Sequence, residues 1–499
     1  MILLKLSRKR KASIVGDKNN RRQGTEFLIA PSHFYAKFLR KTSAHVMKWV
    51  GGYVTSNELT LLTDLYELTM AQAYFKNNIN YKSTFDLFVR SLPQNRGFLI
   101  FAGLEQVVDY ITNLRFNSDA IEFLKVNGFA DDFLSYLEKF KFSGDVVAFQ
   151  EGTPFFAEEP VIRVTAPIIE AQLLETAMMN IVHFQTLVAT KAVRCALAAK
   201  GRNIVDFGLR RAHGTDAGIK AARAAYIGGA VATSNVLAGK IFNIPITGTV
   251  AHSYIMAHKE EKDAFRSFAK VYPNKLILLV DTYDVKKGVE NAIAVAKELS
   301  IPLRAVRIDS GDLIENAWVA RKILDEAGFR ETKIVVSGDL DEYKIEEICS
   351  RDAPVDMFGV GTRLVTSSDC PYLGMNYKLA AIEVDGQVIG TMKLSEGKRT
   401  LPGIKKVTRI IEKGMAVRDM IGCEDEEIEG VPLQKVVIKN GEVVARPEPL
   451  SVIRDRVKEE VALLPPEVRK LRGAGSYPVV LTEKLEALLA AASKNAVKG

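Results

Sequence analysis

The chain has 499 residues, 26% of them charged and 47% apolar, with four cysteines that form no CxxC pair. No apolar run approaches the roughly 18 residues of a membrane-spanning helix, so composition excludes a disulfide scaffold, a zinc ribbon and a helical membrane protein, and suits a reducing cytoplasm. The formal charge of +8 does not describe the body: residues 1–46 hold eleven Lys or Arg against Asp17 and Glu26, while the remainder carries 57 basic and 58 acidic side chains, so no nucleic-acid surface is implied.

The basic excess lies in SRKRK (7–11) and NRRQG (20–24). It reads as a targeting peptide, a polyanion-binding arm, or a disordered tail upstream of a natural start near Met47. The last is the expectation for residues 1–57. Next, LTDLYELTMAQAYFKN (62–77) has helical spacing, and STFDLFVRSLP (83–93) alternates like a strand. Two helical stretches follow, then strand-like GDVVAF (144–149) and PVIRVTAP (160–167), and a long helical run over 173–201. Between 201 and about 366, apolar strands alternate with helices: NIVDFG, IPITGTV, KLILLVD, LRAVRID, KIVVSGD and DMFGVG. That alternation implies βαβ units and a parallel sheet, in either a barrel or an open doubly wound form. Every strand ends in chemically loaded residues, which fits a ring of loops better than one crevice. From about 376 strands and turns return, with Asp-Gly (385–386) as a hairpin signal, and the final helical segments are expected to pack on the N-terminal unit. The expected domains are an α+β unit built from 58–175 and 376–499, and an α/β unit over 176–375.

Common catalytic motifs are absent. There is no GxxxxGK[ST], no HExxH and no GxSxG; FGVGTRL lacks the third glycine of a dinucleotide fingerprint, and His252 and His258 are poorly spaced for a zinc-binding helix face. What remains are strand-end residues: Phe207, Arg210 and Arg211; Thr249 and His252; Asp281 and Asp284; Arg307, Asp309 and Asp312; Gly338 and Asp339; Gly361, Thr362 and Arg363. Singly, an Asp here is often a helix N-cap and a His often structural. An aromatic plate, adjacent arginines and an ionisable imidazole on neighbouring strands together suit a flat anionic ring and phosphates.

LLTDLYELTMAQAY, DFGLRRAHG, SNVLAGK, GTVAHS, LLVDTYDVKKG, VRIDSGD and MKLSEGKRTLPG, in that order from about Leu61 to Pro478, resemble the nicotinate phosphoribosyltransferases. The resemblance implies an irregular α/β barrel of the type II phosphoribosyltransferase kind. It also implies a homodimer with shared sites, in which nicotinate meets phosphoribosyl pyrophosphate while ATP is hydrolysed with Mg2+. It implies that Tyr66, from the partner subunit, and Phe207 sandwich the pyridine, and that Arg307 and Thr249 lie near its carboxylate. Asp309, Gly338 and Asp339 would contact ribose and phosphate, and Gly361 and Thr362 the 5′-phosphate. Arg210 would serve as a substrate cation, and Arg90, Lys393, Lys398 and Lys405 are weaker polyphosphate candidates. His252 would accept a phosphoryl group from ATP, with Asp281 fixing its tautomer. The magnesium ligands stay unassigned. Nicotinamide-specific relatives place an aspartate in the segment matching ATSNVLAG, where this chain has Ser234. The alternatives are that nicotinamide enzyme, the shorter quinolinate enzyme and a non-catalytic phosphate-binding barrel.

Overall fold

A computed structural model describes residues 59–395 and 399–498. The expectations for residues 1–57 and for Lys398 lie outside them.

The first sheet is built from both ends of the chain. Lys82–Val89 lies between Ile162–Pro167 and Met375–Val384, antiparallel to each, in a sheet of seven strands. The alternation in STFDLFV does not mark a solvent face, because every residue from Ser83 to Val89 is buried. The polar face is itself covered: Asp86 pairs at 2.7 Å with the buried Lys405, whose ammonium also donates to the Leu401 and Gly403 carbonyls. Lys405 is therefore a structural cation and not a polyphosphate contact. Three helices, not two, follow this strand: Leu104–Asn113, Ser118–Val126 and Asp131–Glu138. The second is started by the Asn117 side chain, which accepts from Ala120 N and so cuts the helical run in two.

The second sheet is fully parallel. Its strands are Asn203–Asp206 (β1), Ile277–Leu279 (β2), Ala305–Ile308 (β3), Lys333–Ser337 (β4) and Met357–Val360 (β5), in spatial order β1-β5-β4-β3-β2. Beyond β1 the sheet continues by single bridges, Asp206 to Thr233 and Thr233 to Ile246. The expected strand IPITGTV is thus reduced to one bridge. Pro245 has no N–H to give a ladder, and only its carbonyl pairs, with Thr233 N at 3.0 Å.

Two long helices back β1: Glu175–Ala198 (α1) and Thr215–Ile227 (α2). Their contact is close because it is alanine- and glycine-rich. A Cβ on Gly228 would stand 2.4 Å from the Ala189 carbonyl oxygen. One hydrophobic core fills the parallel sheet and its helices, and a second fills the mixed sheet. The last two helices divide between them. Leu450–Leu463 supplies Ile453, Val457 and Val461 to the parallel-sheet core, against expectation, while Glu483–Lys498 supplies Leu485 to the other.

Candidate active site

The carboxyl ends of β1, β3, β4 and β5 open into a cavity of about 220 Å3. Phe207, Arg210, Arg307, Asp309, Gly338, Asp339, Gly361 and Thr362 all line it, from the ends of four strands that lie between Asn203 and Val360 in sequence. Phe207 continues the ladder through its N–H to the Val360 carbonyl, at 2.8 Å. Its ring lies over Gly359, where any Cβ would come within 2.5 Å of it, so the glycine is what lets the plate sit there.

Arg307 organises the centre. Its carbon Cζ stands 5.4 Å from the centre of the Phe207 ring. Nε donates to Ser337 Oγ at 2.8 Å, Nη1 to Thr249 Oγ1 at 3.1 Å, and Nη2 to Asp309 Oδ1 at 2.6 Å. A guanidinium has five N–H donors and three are committed here, so one on each terminal nitrogen is left for a further acceptor such as a carboxylate. Ser337 also donates to Asp309 Oδ1. Burial alone would raise the Asp309 carboxyl. The Ser337 hydroxyl and the Arg307 charge outweigh it and hold the group below the usual aspartate value.

His252 opens a short helix, His252–Met256, and its side chain is 39% exposed. Nδ1 lies 3.1 Å from Thr282 Oγ1 and Nε2 lies 3.9 Å from Asp309 Oδ2. Asp281 is not the histidine's partner. Its Oδ2 accepts from the Asp309 backbone N–H at 2.8 Å and from Ser310 Oγ at 2.6 Å, because the turn after β3 leaves those donors without other partners. Asp281 thus reaches the imidazole only through Asp309. Its Oδ1 is buried and has no hydrogen-bond partner.

The two glycine loops are backbone devices. Gly338 has φ +99°, and a Cβ there would stand 2.2 Å from the Asp309 carbonyl oxygen; Asp339 follows at φ +47°. Gly361 caps Thr362–Val365, and Thr362 Oγ1 accepts from Arg211 at 3.0 Å. Asp284 and Asp312 are helix N-caps, accepting from Lys287 N and from Ile314 and Glu315 N, and Arg363 pairs with Asp341.

Tyr66 and Arg90 do not line this cavity. Tyr66 stands on Leu65–Lys76, half exposed, its hydroxyl pushed up to about 12 by burial and then by the Glu175 charge. Arg90 donates to the Arg399 carbonyl at 2.9 Å. Sequence reasoning missed Ser337, Thr282 and Ser310. Each lies inside a quoted motif, but a neutral hydroxyl beside an Asp carries no separate signal.

Family models match three successive parts of the chain: the nicotinate phosphoribosyltransferase N-terminal domain over residues 61–183, the nicotinate phosphoribosyltransferase family over 202–400, and the nicotinate phosphoribosyltransferase C-terminal domain over 427–489. The chain is 44% identical over 435 residues to nicotinate phosphoribosyltransferase pncB2 of Mycobacterium tuberculosis, covering 86% of this chain and 93% of that one. It is 40% identical to the nicotinate phosphoribosyltransferase of Bacillus subtilis, covering 86% and 94%. Among solved structures, human nicotinic acid phosphoribosyltransferase matches with a TM-score of 0.76 at 28% identity, covering 86% of this chain and 99% of that one. Nicotinate-nucleotide pyrophosphorylase from Pyrococcus furiosus matches at 0.68 and 26%, covering 82% and 98%. The chain belongs to the nicotinate phosphoribosyltransferase family.

Proposed function

We propose that this cavity joins nicotinate to phosphoribosyl pyrophosphate in NAD salvage, coupled to ATP through His252. The observation that carries the reading is Arg307, which stands over the Phe207 ring with an N–H left uncommitted on each terminal nitrogen. The ring holds a flat pyridine, and the guanidinium takes its carboxylate by paired charge-assisted bonds. The base is then fixed with its nitrogen toward the ribose. The new bond runs from that nitrogen to the anomeric carbon, and the carbon–oxygen bond to pyrophosphate breaks. Gly338, Asp339, Gly361 and Thr362 hold the ribose and its phosphate by close backbone approach, and Arg210 and Arg211 offset the leaving charge.

With its proton on Nδ1 and donated to Thr282, His252 leaves the Nε2 lone pair free as a nucleophile for the γ-phosphorus of ATP. The nitrogen–phosphorus bond forms as ADP leaves, and water later releases phosphate. Among the described residues no group of three His, Cys, Asp or Glu could hold a metal ion alone. Asp281 Oδ1, buried without a partner, and Asp309 Oδ2 fit a Mg2+ ion carried in on substrate phosphates, where it would neutralise their charge.

The parallel sheet and the two bridged segments beyond β1 support closure into an irregular barrel. Tyr66 is half exposed and outside the cavity, which supports its delivery to the site of a second subunit in a cytoplasmic homodimer. Ser234 leaves no carboxylate where nicotinamide enzymes carry one, so the acid is favoured over the amide.

Turnover of nicotinate, nicotinamide and quinolinate with phosphoribosyl pyrophosphate, each with and without ATP, tests the reading. Nicotinate alone should be converted efficiently, and faster with ATP. Equal turnover of nicotinamide, or none of nicotinate, would overturn it.

A further inference from the structure

A second cavity, of about 440 Å3, lies at the opposite end of β1. Asn203, the first residue of β1, lines it, while Phe207, just past the last, lines the first cavity; the two share no residue. Four cations border it, Arg202, Arg454, Lys458 and Arg469, against one carboxylate, Asp455. None of the four forms an ion pair among the described residues. Arg454 donates to the Gly229 carbonyl at 3.3 Å and Arg202 to Cys349 Sγ at 3.4 Å. Arg469 is uncommitted: its Nε is buried with no hydrogen-bond partner.

The simplest reading is that these cations serve the C-termini of α1 and α2, which end at this cavity, and the Arg454 contact is of that kind. Charge shows that this is not enough. Four cations and one carboxylate leave +3, and two helix ends contribute roughly −0.5 each, so about +2 stays uncompensated in a concave site. Arginine forks and a lysine in such a place suit phosphate oxygens. Part of the wall is apolar, formed by Leu197, Val231 and Val461. The volume falls within the roughly 300–1,000 Å3 of small-molecule sites, which is more than an isolated phosphate fills.

We propose that this cavity binds a nucleoside phosphate, with its ring on the Leu197–Val461 wall and its phosphate between Lys458 and Arg469. The site is independent of the transfer chemistry at the other end of β1 and does not rest on it.

AMP is the chosen probe, because it has no γ-phosphate to give His252. Hydrogen–deuterium exchange of the full chain should show AMP protecting segments 196–203 and 454–469. The double variant Lys458→Gln/Arg469→Gln should need at least tenfold more AMP for the same protection, with kcat for the transfer within about twofold of wild type. Lys458→Gln alone, an exposed position, keeps the test available if the double variant is unstable. Adenosine and inorganic phosphate, used separately, should each protect far less. Equal protection in the variants, or none with AMP, would overturn the site. Protection by phosphate equal to that by AMP would overturn the nucleoside class and leave a simple anion hole.

Discussion

Arg307 meets Ser337, Thr249 and Asp309 at once, so its role is separable only by comparing substrates. Arg307→Lys keeps the charge and loses the planar fork. With charge-assisted bonds at about 1.5–3 kcal/mol, the KM for nicotinate should rise roughly 10- to 100-fold, and that for phosphoribosyl pyrophosphate much less. Equal losses in steady-state kinetics would move Arg307 to the phosphate side. Ser337→Ala tests the other side of the triangle. Its hydroxyl is the largest influence that lowers the Asp309 carboxyl. A depressed folded-state value means that ionised Asp309 stabilises the fold above its unfolded value, about 3.9, and that this is lost as pH falls through the folded value. Removing Ser337 should therefore shift the acid-unfolding midpoint and the acid limb of activity to higher pH. An unchanged pH profile would show that Asp309 does not depend on it. Phe207, Arg307 and Asp309 were legible because they end strands in patterned motifs. The exchange of Asp281 for Thr282 beside His252 was not, because the neighbour of a carboxylate depends on which adjacent loop lacks an acceptor. Lys405 misled because a buried lysine paired with a distant Asp looks like a surface one.

At the scale of elements, the loops after β4 and β5 are tied to one point on α1. Lys191, fully buried, pairs with Glu342 at 2.5 Å and with Asp369 at 2.7 Å. Glu342 opens the helix after the Gly338–Asp339 turn, and Asp369 follows the helix that Gly361 caps. Lys191→Met would leave Glu342 with only Arg194, at 2.8 Å. Breaking a buried pair in this way costs about 3–5 kcal/mol, read as a lower midpoint in chemical denaturation. A loss below about 1 kcal/mol would mean that the pair is not carrying the loops. Strand and helix types followed from periodicity in the βαβ region except at IPITGTV, where Pro245 leaves a single bridge. The 144–167 strands were legible as well, but the Lys82–Val89 strand hid a buried polar face, and the Asn117 cap was lost between two adjoining helical patterns.

Across the whole molecule, the mixed sheet gathers residues from both ends of the chain around Lys82–Val89; the expected α+β unit groups 58–175 with 376–499, but which strands pair and in what register sequence order alone does not give. The division of the last two helices between two cores was equally out of reach, since both are amphipathic and either core would accept them. If Tyr66 completes a second subunit's site, then two inactive variants, Tyr66→Ala and Phe207→Ala, should complement each other. Subunit exchange would place one intact site in each mixed dimer and return roughly a quarter of wild-type activity. No recovery after verified exchange would confine the site to one chain. The claim that unites both ends of the cavity is that energy enters at His252, 3.9 Å from the carboxylate that Arg307 holds. Incubation with γ-labelled ATP, followed by mapping of the labelled residue, measures it most directly. Expected is an acid-labile label on His252, absent in His252→Ala, which keeps slow transfer without ATP hydrolysis; label on another residue, or normal labelling of His252→Ala, would contradict it.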